Sequence, residues 1–152
     1  MGYGLPAAIG AYYADKDRVI INLSGDGSFQ MNIQELGVLS AHRIPIKIVI
    51  FNNDSLGMIK QFQDYYLDGR YASSIDMNGK GFDNPNFETL ATAYGLGYFS
   101  FPDDDMSEDI IRRFIECEGA ALLEIRIDSR CHVHPIRVGK TSRWFDKDVD
   151  NI

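Results

Sequence analysis

Leu23-Ser24-Gly25-Asp26-Gly27-Ser28-Phe29-Gln30-Met31-Asn32-Ile33-Gln34-Glu35 is the stretch that decides the architecture. Residues 19–23 form a short apolar run that reads as a buried strand. A helix start follows Gly27, with Asn32 suited to an N-cap and Glu35 three residues on. Strand, Gly-Asp-Gly turn and helix in that order put the turn at the carboxyl end of a parallel strand, where open α/β sheets bind ligands. The turn's backbone N–H groups and the helix start favour an anion. Asp26 would repel one, so the pairing makes physical sense with a divalent cation between them.

A second apolar, β-branched run, residues 46–51, ends in Asn52-Asn53-Asp54. The 24 residues from 28 to 51 suit one helix, one loop and one returning parallel strand. Asp26 and Asn53 then converge on one crevice. A carboxylate and an amide oxygen suit Mg²⁺, whereas softer metals recruit His or Cys, and neither is nearby in sequence. A Gly-Asp-Gly alone equally suits a tight turn or a cap. The signal lies in its pairing with the two asparagines at this spacing.

Those residues resemble the diphosphate-binding signature of thiamine diphosphate (ThDP) enzymes: Gly25-Asp26-Gly27-Ser28, the spacer, then Asn52-Asn53. The opening residues 1–11, Met-Gly-Tyr-Gly-Leu-Pro-Ala-Ala-Ile-Gly-Ala, are similar to the segment before that signature in the acetolactate synthase-like branch. Gly57-Met58, Gln61, Arg70-Tyr71 and residues 84–94 continue the likeness, which covers roughly residues 1–130. The resemblance implies cofactor contacts from Met1, Gly25, Asp26, Gly27, Ser28, Asn53, Ser55, Leu56, Gly57 and Met58. Within that set, Asp26, Asn53 and the backbone oxygen of Ser55 would hold Mg²⁺. Met1 takes the position of the bulky residue that bends the cofactor. Met58 and Phe62 would line a substrate pocket, and at Phe62 acetolactate synthases usually carry tryptophan. The glutamate that activates the cofactor comes, in the family, from a pyrimidine-binding domain of another subunit, and no residue here matches it.

The remaining chain fits that frame. Its 152 residues suffice for one domain, 1–152, with residues 129–152 as a tail. Hydrophobic content of 45% with 24% charged residues marks a soluble globular chain. A net charge of -7 argues against nucleic acid or an anionic membrane as partner. Residues 5–14 are too short to span a bilayer, and Pro6 spoils a myristoylation signal. Cys117 and Cys131 make no disulfide framework, which points to the cytoplasm.

Elsewhere, a first helix from Leu5-Pro6 presents Leu5, Ile9, Tyr12 and Tyr13, and residues 32–42 present Ile33, Leu36 and Leu39. Gly37 in the latter suggests close packing, and His42 reads as a solvated helix end. Met58, Ile59, Phe62, Tyr65 and Tyr66 share one helix face, with Ile59 and Tyr65 expected in a core or interface. Residues 68–84 read as a long, lid-like loop. Asn86 caps a helix through Tyr94, residues 97–101 form a strand, and Ser107 caps a helix burying Ile110, Ile111, Phe114 and Ile115. Asp103 to Asp105 read as an acidic lead-in to that helix, and residues 121–127 as the last strand. Strands alternate with helices, so the fold is α/β, doubly wound, with a mostly parallel sheet and helices on both faces.

In the tail, Cys131, His132 and His134 make a weak zinc pattern without a fourth ligand. Pro135 and Trp144 suit a wrap over this domain or a partner. The first helix lacks the strand that a doubly wound sheet places before it, so the chain reads as the C-terminal, N-terminally truncated part of a longer enzyme. The expected whole is a ThDP-dependent 2-oxo acid carboligase or decarboxylase of the acetolactate synthase-like group, homodimeric or larger. This chain alone is expected to bind cofactor without turnover. The alternatives are a different ThDP-dependent decarboxylase or oxidase, or a non-catalytic binding or assembly module that keeps the fold.

Overall fold

Residues 1–74, 82–101 and 107–133 are described by a computed structural model of the protein. Two strands, β2 (Lys47–Asn52) and β4 (Ala121–Arg126), are buried on both faces and therefore read as near-continuous apolar runs. They lie at the centre of a four-stranded sheet ordered β1-β2-β4-β3. β1 (Ile21–Gly25) and β3 (Gly97–Ser100) form its edges, and every pairing is parallel. Lys47 lies opposite Ile21 on one side and Ala121 on the other, so the carboxyl ends of β1 and β2 finish side by side at Gly25 and Phe51.

Successive strand residues face opposite sides of a sheet. Ile48, Ile50 and Leu122 therefore meet one helical layer, and Val49, Ala121 and Leu123 the other. The first layer is α1 (Gly4–Ala14), α2 (Asp26–Gln30), α3 (Leu36–His42) and, beyond α4 (Gly57–Tyr66), α5 (Phe87–Ala93). Leu5, Phe29, Leu36, Leu39, Phe87 and Ala91 fill the core there. The second layer is α6 (Glu108–Glu116), whose Phe114 packs with Val49, Leu123 and Phe99. The fold is thus the doubly wound α/β arrangement that the alternation of elements implies. Because α6 lies over β3 and β4, the outer side chains of β1 stay open, and Leu23 is 64% exposed.

Several local expectations are corrected. Asn32 does not cap a helix through its side chain; its Nδ2 donates to the Gly2 carbonyl at 2.6 Å. The expected helix over 32–42 divides into a 3-10 turn, Ile33–Glu35, and α3, while α2 starts earlier, at Asp26. A β-carbon added at Gly37 would meet only Tyr94, at an ordinary 3.8 Å, so tight packing does not explain that glycine. Tyr13 and Ile111 are exposed because one apolar stripe of each short helix suffices to reach the sheet. Ser107 precedes α6 without a side-chain cap. On α4 the buried positions are Gln61 and Gln63, while Ile59 is exposed and Phe62 packs on Tyr66, ring centroids 4.8 Å apart. Asn86 does cap α5, accepting from the Thr89 N–H at 2.7 Å. Residues 75–81 of the long loop, Asp103 to Asp105, His134, Pro135 and Trp144 lie outside the described residues.

The one lysine in the sheet has a defined task. Lys47 is 3% exposed, and its Nζ donates to the carbonyls of Cys117 (2.5 Å) and Gly119 (2.8 Å), beyond the end of α6. Helix ends leave carbonyls without intrahelical partners, and here one ammonium bolts that end to the central strand. Burial pulls the ammonium's pKa below the ordinary 10.5, with Cys117 pulling the other way. Lys47→Met should cost about 1–3 kcal/mol in urea unfolding, because it strands two carbonyls. Between the lowered folded pKa and 10.5 the unfolded chain binds more protons, so the wild-type advantage should grow as pH rises through that window.

Candidate functional site

The carboxyl ends of β1 and β2 open into a cleft of about 320 Å³. Its wall carries Gly25, Asp26, Gly27 and Ser28 from the first turn and Asn53, Ser55, Leu56, Gly57 and Met58 from the second, with Met1 at the rim. The structure therefore gathers every residue that the resemblance assigns to cofactor or metal around one space. Phe62, assigned by the resemblance to a substrate pocket, lies elsewhere. It does not line the cleft, because its ring lies against Tyr66 further along α4. Phe51, Ile59, Ile127, Cys131 and Val133 make the apolar side.

Close approach of the two turns sets the glycine pattern. A β-carbon at Gly27 would fall 2.4 Å from Leu56 Cδ2, and one at Gly57 would fall 2.7 Å from Asn53 Nδ2. Gly25 is different: a β-carbon there would meet nothing within 4 Å, so the chain leaves open space on the cleft floor. The rim is held from two sides, since the Gly2 N–H donates to Ser28 Oγ (2.9 Å) and Asn32 bonds the Gly2 carbonyl.

The two asparagines take opposite roles, as neighbouring residues at a strand end face opposite ways. Asn53 turns to the cleft, and its Oδ1 accepts the Ser55 N–H at 3.1 Å. Asn52 turns inward: its Nδ2 donates to Glu124 Oε1 (2.7 Å), and its Oδ1 accepts the Asp54 N–H (3.0 Å). Asp54 adopts the left-handed conformation, φ 48°, which Asp tolerates better than most residues. Ser55 is buried, and its backbone oxygen already accepts the Gly57 N–H at 2.9 Å, leaving a second lone pair. Glu124 also accepts from Tyr98 Oη at 2.7 Å, and burial together with that bond pushes the phenol up to about 12.

Asp26 is 3% exposed and is bonded by neutral donors, the Gly27 N–H at 2.9 Å and Asn84 Nδ2 at 2.8 Å. It is the sole carboxylate among the described residues lining the cleft. Carboxylate, amide and carbonyl oxygens from Asp26, Asn53 and Ser55 form a hard-oxygen set that fits Mg²⁺ in chemistry. The open floor at Gly25 fits a group that approaches the backbone closely.

Asn84, Glu124, Tyr98 and Gln61 take roles that the sequence did not disclose, Gln61 and Asn84 having entered only as part of the likeness. Glu124 had a signal, being a carboxylate inside an apolar run that must find partners when buried. Gln61 pairs reciprocally with Val133, donating to its carbonyl at 2.9 Å and accepting its N–H at 3.0 Å. That pair holds residues 131–133 as a wall of the cleft. His132 contributes to the same anchorage, with Nε2 2.9 Å from Asp64 Oδ2 and its ring 5.4 Å from that of Tyr65. Asp64 also receives Lys60 (3.2 Å) and the Tyr71 hydroxyl. Burial pushes that carboxyl up, but bonds from Tyr71, Lys60 and His132 outweigh it and hold it below the ordinary range. Among the described residues no three His, Cys, Asp or Glu side chains gather around a metal position, and the ring of the zinc pattern's His132 is turned to Asp64.

A doubly wound parallel sheet with an acidic, amide-lined cleft at its carboxyl edge defines a ligand-binding α/β domain. Residues 1–125 match the family described as "Thiamine pyrophosphate enzyme, C-terminal TPP binding domain", and the chain belongs to that family. Thiamine pyrophosphate and thiamine diphosphate are one compound. The chain is 40% identical over 136 residues to the acetolactate synthase large subunit of Porphyra purpurea, covering 90% of this chain and 22% of that protein. It is 38% identical to the acetolactate synthase isozyme 2 large subunit of Escherichia coli, at 90% and 24% coverage. To the mitochondrial acetolactate synthase catalytic subunit of Saccharomyces cerevisiae it is 35% identical, at 91% and 19%. The chain thus spans about a quarter or less of the length of these relatives.

Proposed function

We propose that this chain anchors the diphosphate of ThDP through Mg²⁺, as the C-terminal domain of an acetolactate synthase-like enzyme acting on 2-oxo acids by carboligation or decarboxylation. The observation that carries the reading is Asp26: a buried carboxylate on the cleft, answered by neutral donors, beside the oxygens of Asn53 and Ser55. An anion can approach it only with a cation between them. When bound, the cofactor would supply a nucleophilic thiazolium carbon and a ring able to accept the electrons released at the substrate. This chain's residues bind and orient. Asp26, Asn53 and the Ser55 carbonyl would hold the metal, Gly25 and Gly27 would let the cofactor approach the backbone, and Met1 and Leu56 would contact its ring. Met58 and Ile59 would line the substrate side of the cleft.

Calorimetric titration of ThDP with Mg²⁺ and with chelator tests the anchoring. Affinity should fall sharply on chelation, and Asp26→Ala should weaken binding by about 2 kcal/mol or more. Equal affinity in both conditions would sink the metal bridge.

We further propose that the chain alone binds cofactor without activating it. Among the described residues no glutamate lines the cleft, and a positioned acid or base typically contributes about 10²–10⁴-fold. Proton–deuterium exchange at the thiazolium carbon should stay near the rate of free cofactor, with no pyruvate consumed. Fast exchange abolished by one substitution in this chain would refute the proposal.

Self-association as a dimer or larger is part of the same reading. Ile21 and Leu23 on the outer face of β1, Val19 just before it, Met58 and Val133 on the cleft, and Phe62 further along α4 leave large side chains exposed. Light scattering at high concentration should give at least a dimer mass; a clean monomer would count against it.

A further inference from the structure

We propose that Asn84, which does not line the cleft, is the positioning residue that sets Asp26 for cation binding. The inference rests on the metal anchoring above. Asn84 Nδ2 lies 2.8 Å from Asp26 Oδ2, 3.0 Å from Asn52 Oδ1 and 3.0 Å from Asp54 Oδ1. An amide nitrogen has two protons, so three oxygens from two different turns compete for them. The orientation of the amide is fixed from behind, since Gln30 Nε2 donates to Asn84 Oδ1 at 2.5 Å. A flipped amide would set its oxygen against two carboxylates and its nitrogen against the Gln30 donor.

The charge of the surrounding network explains why a neutral residue stands there. Asp26, Asp54 and Glu124 bring three negative charges and Arg126, 3.3 Å from Asp54 and 3.6 Å from Glu124, brings one positive, leaving two uncompensated. A lysine or arginine in place of Asn84 would neutralise Asp26 and compete with a metal. A second carboxylate would repel Asp26 out of place. The amide aims Oδ2 while leaving the full charge for a divalent cation. The same side chain joins the first turn, through Asp26, to the second, through Asn52 and Asp54, so both halves of the metal site share one clamp. Phe82, whose N–H donates to the Asp54 carbonyl, fixes the segment that carries it.

Groups that orient a metal ligand typically affect metal affinity by about 10–100-fold when removed. The experiment titrates ThDP into the 152-residue chain at a series of fixed Mg²⁺ concentrations, with melting temperature recorded for every variant. Asn84→Ala should raise the Mg²⁺ concentration for half-maximal binding by about 10-fold or more, while ThDP affinity at saturating Mg²⁺ stays within about 3-fold. Asn84→Ser, with one donor instead of two, should fall between and covers the case in which the alanine variant does not fold. Asn86→Ala is the control: it removes the α5 cap two residues on, and should lower the melting temperature without moving the Mg²⁺ midpoint. Equal shifts for the Asn84 and Asn86 variants would make Asn84 a merely structural residue and overturn the proposal, as would an unmoved midpoint in both Asn84 variants. Wild-type binding with no Mg²⁺ dependence would overturn the anchoring itself, a result distinct from either.

Discussion

A carboxylate taken out of water without a cationic side chain against it is costly unless hydrogen bonds and a counter-charge answer it. Asp26 is in that position, and much of the surrounding structure is arranged to hold it there. The Gly27 N–H and the Asn84 amide satisfy its two oxygens, and Asn84 in turn reaches Asn52 and Asp54. Asn52 passes the chain of bonds to Glu124, and Glu124 to Tyr98. The network runs from the turn after edge strand β1 through β2 and β4 to Tyr98 in edge strand β3, so side chains as well as the sheet tie the four strands together.

Such a layout separates support from contact. Side chains on the inner side of the strand ends, Asn52 and Glu124, face one another and never reach the cleft. On the outer side, the Asn53 side chain and the bare backbone of Gly25 face it. Buried polar networks of this kind are costly when half satisfied and rigid when complete. Among the described residues a single buried side-chain atom, Asn22 Nδ2, lacks a partner, and it lies on β1 before the turn rather than in the network.

The fold was legible in the sequence because β2 and β4 are buried on both faces and announce themselves as apolar runs. Gly95 and Gly119, both with positive φ, follow the ends of α5 and α6, and a glycine just past a helix is a sequence signal for its end. The cleft was legible through Gly25, Asp26, Gly27 and Asn53, whose spacing encodes two adjacent strand ends. What stayed hidden was non-local. Asn84 lies 58 residues from Asp26, and nothing in its neighbourhood shows which turn it would meet. The stripe on α4 misled for a related reason. Its apolar residues are periodic, but the side facing the protein is held by Gln61 and Gln63, which bond the Val133 backbone and the Ser74 hydroxyl. Periodicity locates a helix; it does not say which face the fold uses. Asn32 illustrates the same limit, since a residue fit to cap its own helix instead bonds the chain at Gly2.

The contact between Gly27 and Leu56 bears on how this protein can vary. The two turns interlock, with the branched end of Leu56 occupying the volume that a side chain at position 27 would need. The positions therefore trade space: a side chain at 27 would force the branched end of Leu56 to another position. A lineage can change this pair in concert, or pass through an intermediate in which Leu56 gives way and the wall of the cleft is reshaped. Gly57 and Asn53 are bound by the same arithmetic on the other side of the cleft. The mouth, where Met58 is 66% exposed, carries no such lock. Variation therefore has an open route at the rim, whereas a side chain added at 27 or 57 must first displace a neighbour.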